Sequence, residues 1–252
     1  MAGRERALCW ALYLIFAAFP LCYRDTVPVP IALLLIVTAL GGYWRCAVAT
    51  GLGLVMAATA LVFVYVLGLP PLAFGAGFAA LWLLARATGW SMPPSTYLPR
   101  GRIDGTTLAW CLACAVVAGG ALVIWLRAMH PDLGDLYAQL PLHRFPLPLL
   151  IAGALVFAIA NAAVEEAMYR GLLQHVLGLL AGRRWAWLLQ AISFGLMHVH
   201  GFPRGAVGVV LAAVYGLMMG AIRLRASGLL APWLAHTVTD VTIVAIVFAT
   251  AP

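Results

Sequence analysis

Lysine is absent from this 252-residue chain, and only 9% of its residues carry charge. All fifteen basic residues are arginine, scattered along short connections, so the formal charge of +7 forms no concentrated patch of the kind nucleic acid requires. With 65% hydrophobic residues and a mean hydropathy of +1.02, there is too little polar surface to cover a soluble globule. Long loops are also missing. Only 88–106 and 127–146 have any length, and neither can bury a core, so a separate soluble domain is excluded. No repeat of fixed period is visible. The five cysteines, Cys9, Cys22, Cys46, Cys111 and Cys114, contain no pair of matching pairs, and packed thiols are expected rather than disulfides or a metal centre. Arg4 and Arg6 precede an apolar run from Ala7 to Leu21, but no A-x-A-like cleavage site follows, so the run is read as an uncleaved first helix.

What remains is a set of apolar stretches at about 7–23, 27–44, 46–67, 71–87, 107–126, 147–181, 185–200, 206–223 and 228–249. Their lengths fit membrane spans. The expected fold is an all-α, polytopic transmembrane bundle of about eight to nine helices with a four-helix core. Residues 1–146 form its N-terminal part and 147–252 that core. With the N-terminus inside, Arg4, Arg6, Arg45, Arg86, Arg100, Arg102, Arg183, Arg184, Arg223 and Arg225 lie at inside ends. Arg24, Arg127, Arg144 and Arg204 lie outside, and Arg170 sits within a span. That asymmetry predicts N-terminus in and C-terminus out, in a bacterial cytoplasmic membrane.

The first five apolar stretches hold almost no polar groups, and the last four hold nearly all of them. Within 147–181 stands Asn161-Ala-Ala-Val-Glu165-Glu166-Ala-Met-Tyr-Arg170. Each ionisable group at the centre of a span costs about 2.5–3.5 kcal/mol on insertion scales, and such groups usually mark function. Positions four apart share a helical face, so Glu166 is expected to pair with Arg170 while Glu165 lines up with Asn161. Glu165 then has no built-in counter-ion, as a general base requires. The same residues also suit a buried ion-pair network that only locks helices together.

The next stretch offers Phe194-Gly-Leu-Met-His198-Val-His200, and the last offers His236-Thr-Val-Thr-Asp240. Glu165 and His198 flank the turn at Gly182-Arg183-Arg184 at similar separations. In straight antiparallel helices both lie roughly 24 Å from that turn and can meet. His236 and Asp240 share a face, so Asp240 can orient the His236 ring. His200, beside Gly201 and Pro203, is expected to be exposed, and His130, His143 and His175 to be loop or interfacial residues.

Taken in order, Glu165-Glu166-Ala-Met-Tyr-Arg170, Phe194-Gly-Leu-Met-His198 and His236-Thr-Val-Thr-Asp240 resemble the CPBP family of intramembrane glutamic proteases. That family includes CAAX prenyl endopeptidases and bacteriocin-processing Abi proteins. Its pattern is E-E-x-x-x-R, F-x-x-x-H and H-x-x-x-[ND], and the resemblance covers roughly 147–250. It implies an endopeptidase in which Glu165, assisted by His198, activates water. His236 and Asp240 would stabilise the oxyanion, while Glu166, Arg170, Phe194 and Asn161 support the site. An Asn at position 240 could donate to an oxyanion, whereas an ionised Asp240 could not, so Asp240 is either protonated or acts through His236.

The implied partners are the lipid bilayer and a membrane-anchored protein or peptide, including one with a C-terminal sorting signal; nucleic acid is not among them. No cofactor is expected. Glutamate and two histidines are zinc-ligand types, but the spacing is not H-E-x-x-H and the family is understood to work without metal. Two other classes fit the polar cluster: a proton-coupled transporter using it as a relay, and a non-catalytic membrane-peptide-binding or immunity protein. The transporter should show inverted repeats or paired helix breaks, and neither is evident.

Overall fold

The computed structural model describes residues 1–22, 25–66, 68–89, 93–134 and 145–250. Arg24, His143 and Arg144, all used in the reading above, lie outside them. Each of the nine apolar stretches is helical. They form α1 (Gly3–Ala18), α2 (Pro28–Tyr43), α3 (Ala47–Tyr65), α4 (Pro70–Thr88), α6 (Gly105–Met129), α7 (Leu147–Ala181), α8 (Arg183–Leu196), α9 (Gly205–Ala226) and α10 (Leu230–Thr250). One short helix, α5 (Pro94–Tyr97), falls inside the connection expected to be a loop.

Six of these helices, α3, α4, α6, α7, α9 and α10, are long and apolar enough to cross a membrane. The others are shorter: α1 and α2 have 16 residues each and α8 has 14. Local signals place the ends. Proline occupies the first turn of α2, α4 and α7, where its missing N–H costs nothing. Asp104 caps α6 by accepting from the Thr107 N–H at 2.6 Å. Gly182, at φ 84°, makes the turn between α7 and α8.

α7 is unusual in length and in form. Its 35 residues would span roughly 52 Å as a straight helix, well beyond a hydrocarbon core of about 30 Å. The stretch Ala167–Leu173, directly after Glu166, is π-helical. Such segments are rare and concentrate at functional sites.

α7 packs against α4, α8 and α10, α9 against α8, α10 and α6, and α1 against α2, α3 and α8. A single apolar core joins the two parts of the chain, with Leu12 and Phe16 of α1 and Leu52 and Met56 of α3 against Leu172 and Leu177 of α7 and Phe194 of α8. A smaller cluster sets Cys111 and Cys114 of α6 against Met219 and Ile222 of α9 and Ala231 and Ala235 of α10. All five cysteines are free thiols.

Residues after α5 lie across the α9–α10 turn. The Leu229 and Leu230 N–H groups donate to the Pro99 and Arg100 carbonyls at 2.8 and 3.0 Å, and the Arg102 N–H donates to the Ala226 carbonyl at 2.9 Å. Gly101 (φ 78°) and Gly228 meet backbone to backbone here, and a Cβ on Gly228 would collide with the Gly101 nitrogen.

Contacts gather much of the arginine at one end of the bundle. Arg6 Nη2 donates to the Leu180 carbonyl at 2.6 Å, the Val48 N–H donates to Glu5 at 2.8 Å, and Arg225 lies 3.5 Å from Asp104. Arg45, Arg100, Arg102, Arg183, Arg184 and Arg223 flank these contacts in sequence. Arg127 and Arg204 sit at the opposite helix ends.

Candidate active site

Four helices supply the site. α7 brings Asn161, Glu165, Glu166, Tyr169 and Arg170; Phe194 comes from α8, followed by His198; α9 brings Tyr215; α10 brings His236, Thr239 and Asp240. Small residues let the helices approach. A Cβ on Gly195 would lie 2.7 Å from the Val209 carbonyl oxygen and 2.8 Å from Ala213 Cβ, so a glycine there keeps α8, and with it His198, close to α9.

The two adjacent glutamates have different surroundings. Glu166 is 1% exposed, and its Oε1 accepts from Arg170 Nη1 at 2.8 Å. The same oxygen lies 2.8 Å from His236 Nδ1. A carboxylate oxygen can only accept, so His236 Nδ1 carries hydrogen and donates to it. Glu166 therefore ties α7 to α10. Arg170, fully buried, also lays its guanidinium over the Phe194 ring at 4.4 Å from the centroid.

Glu165 has no arginine partner among the described residues. Its Oε2 lies 3.7 Å from His236 Nε2, which is in turn 3.5 Å from Asp240 Oδ1. Asp240, expected to orient His236, lies only at this longer range, and the short bond holding the ring comes from Glu166. Asn161 shares a helical face with Glu165, yet its Nδ2 donates to Asp240 Oδ2 at 3.1 Å.

His198 Nδ1 lies 2.9 Å from the Phe194 carbonyl oxygen. That oxygen can only accept, so Nδ1 carries the hydrogen, and in the neutral ring Nε2 keeps its lone pair as a proton acceptor. Glu165 and His198 do not bond directly, but both line one cavity of about 450 Å³, together with His236 and Asp240. Aromatic rings pack the polar groups. Phe194 lies against His198 at 4.7 Å between centroids, and Tyr215 meets His236 edge-on at 5.3 Å. His200 is exposed at the cavity rim; His130 is exposed at the end of α6, and His175 is half-buried within α7.

Tyr169, which stands between Glu166 and Arg170, has no role assigned to it from sequence. The structure places its ring edge-on to Phe74 and Phe194, at 5.9 and 5.0 Å, with its hydroxyl buried and without a hydrogen-bond partner among the described residues. It too lines the cavity. An orphaned hydroxyl in a dry interior is costly unless something in the cavity accepts from it. No sequence periodicity distinguishes such a tyrosine from a core aromatic.

The rest of the cavity is apolar. Phe16 and Phe19, Phe63 of α3, Phe74 of α4 and Phe157 of α7 form much of its wall. Among the described residues no group of three His, Cys, Asp or Glu side chains is placed to hold a metal ion.

Residues 147–242 match a family described as type II CAAX prenyl endopeptidase, Rce1-like. Comparison with curated proteins and with solved structures finds no match to either. The matched segment contains every ionisable group of the site and leaves out α1 to α6. With six helices among the described residues able to span a bilayer, this is a multi-pass integral membrane protein whose segment 147–242 is similar to the Rce1-like, type II CAAX prenyl endopeptidase family.

Proposed function

We propose that this chain is an intramembrane endopeptidase that hydrolyses a peptide bond near a membrane-embedded C-terminal segment of a protein substrate, with Glu165 and His198 activating water and no metal taking part. The observation that carries the reading is a division between neighbours: Glu166 is consumed by Arg170 and His236, while Glu165 faces an apolar cavity without an arginine. A buried carboxylate without an arginine counter-ion is a competent proton acceptor for water. The tautomer of His198 leaves its Nε2 able to accept from the same water. The hydroxide formed attacks the scissile carbonyl, and the proton taken up passes to the leaving amine, so that the bond breaks with water divided between the two ends. In its imidazolium form His236 donates from Nε2 to the oxyanion, close to Asp240.

Tyr169 completes this arrangement as a second donor to the oxyanion, whatever the protonation of His236. Tyr169→Phe keeps the ring and its packing, so folded yield should be unchanged while kcat falls about 10²-fold, the usual loss when one oxyanion donor is removed. Wild-type kcat in this variant would return Tyr169 to the core.

The cavity reaches Phe19, Val27, Pro70, Phe202 and Pro203, which lie at helix ends away from the clustered arginines. Under the positive-inside rule that end faces out of a bacterial cytoplasm, which favours an extracytoplasmic substrate tail over a cytoplasmic prenyl-cysteine. Reporter domains fused after Ala181 and after Pro252 should read cytoplasmic and extracytoplasmic respectively; the reverse pattern turns the site inward.

The proteolytic reading is tested by comparing C-termini of membrane proteins by mass spectrometry between cells with and without the gene. An uncleaved precursor accumulating in the deletion names the substrate, and an unchanged set of termini removes the proposal.

A further inference from the structure

A second cavity, of about 240 Å³, opens at the arginine-rich end between α7, α8 and α9, on the far side of the bundle from the mouth of the first. Gln174, His175, Arg183 and Arg223 line it, and no carboxylate does. Asp104 is engaged with Arg225 and Glu5 with the Val48 N–H. Arg223 gives its Nε hydrogen to the Arg170 carbonyl at 3.2 Å. Gln174 is 5% exposed, and neither its Nε2 nor its Oε1 has a hydrogen-bond partner among the described residues. Buried amides normally have partners. Two guanidinium groups, an imidazole and an orphaned amide thus line one pocket whose lining holds no carboxylate.

We propose that this cavity binds a phosphate group, carried by the headgroup of an anionic lipid. Guanidinium groups recognise phosphate oxygens through charge-assisted hydrogen bonds, and the Gln174 amide adds a neutral donor. The volume lies below the roughly 300–1,000 Å³ of pockets that enclose a whole drug-sized ligand, which suits a headgroup with its acyl chains left outside. Leu179 on the rim is 48% exposed and nearby Trp185 is 58% exposed, as expected of residues facing lipid at the membrane boundary. Basic pockets between helices at the cytoplasmic boundary are suited to such headgroups.

The test uses the full-length protein in detergent, titrated with mixed micelles containing phosphatidylglycerol or phosphatidylcholine, or with inorganic phosphate alone, following the thermal midpoint. Phosphatidylglycerol should raise the midpoint more than phosphatidylcholine. Arg183→Gln should weaken its apparent affinity about fivefold, the value of one interfacial arginine. Gln174→Leu should weaken it further, and Arg184→Gln, which removes the same charge one residue outside the cavity, should leave it unchanged. An equal response to inorganic phosphate alone supports the anion site and assigns it to free phosphate.

Equal shifts with the two lipids, or equal losses in Arg183→Gln and Arg184→Gln, overturn the site in favour of general surface charge. Should Gln174→Leu fold poorly, native mass spectrometry of the wild-type protein decides. Retained anionic lipid lost in Arg183→Gln supports the proposal; its absence from the wild-type protein overturns it.

Discussion

Glu165→Gln is expected to lower hydrolysis by about 10²–10⁴-fold, the range that positioned acid–base groups ordinarily contribute, with little change in folded yield. Glutamine keeps the shape of the side chain and both polar atoms but cannot take a proton from water. The substitution is also structurally mild. Glu165 is not the counter-ion of Arg170, and its closest ionisable neighbour, His236 Nε2, is 3.7 Å away while the other nitrogen of that ring is held by Glu166. Removing one carboxylate therefore strands no cation. Turnover of a purified membrane-anchored substrate, measured beside thermal unfolding in the same detergent, checks both halves. A Gln variant that turns over at the wild-type rate would sink the assignment of Glu165 as the base.

The neighbouring substitution should do the opposite. Glu166→Gln is expected to cost about 3–5 kcal/mol of stability, because breaking a buried pair leaves an uncompensated charge. Here one oxygen serves two partners, Arg170 Nη1 and His236 Nδ1, each at 2.8 Å. Arg170 is fully buried, so water cannot take over. For a chain of this size the loss lowers the thermal midpoint on the order of 10 °C, against little change for Glu165→Gln. A double change, Glu166→Gln with Arg170→Met, should recover part of the midpoint, since a buried pair replaced by apolar groups of similar volume is often nearly neutral. Equal midpoints for the two single variants would refute this division between the glutamates. Recovered stability without recovered turnover is the expected signature of Glu166 also holding the His236 ring.

Much of this was legible in the sequence wherever the relevant contact is local. Each apolar stretch became a helix, and the pairing of Glu166 with Arg170 lies within one helical turn. Longer-range partners were not legible. The bond from Glu166 to His236 joins residues 70 apart, and that from Asn161 to Asp240 joins residues 79 apart. Helical periodicity names the face a side chain occupies but not which neighbouring helix meets it. The π-helical stretch Ala167–Leu173 has no compositional mark, and it breaks the straight-helix assumption behind the expected meeting of Glu165 and His198. Tyr169 was hidden for another reason: its ring satisfies every requirement of a core aromatic, and only the unpartnered state of its buried hydroxyl among the described residues gives it away. α5 and the segment after it escaped notice because proline and glycine mark turns without saying what those turns dock against.

The large cavity is built from two stretches of chain. Its carboxylates and histidines lie within 147–242, whereas Phe16, Phe19, Phe63 and Phe74 belong to the part that precedes it. A change in those four rings alters the shape offered to a substrate without touching an acid, a base or an ion pair. Substrate preference can thus drift at nearly constant chemistry, and two chains with the same EExxxR and histidine motifs need not share a substrate. Much of the cavity wall is thus written in helices that carry no motif.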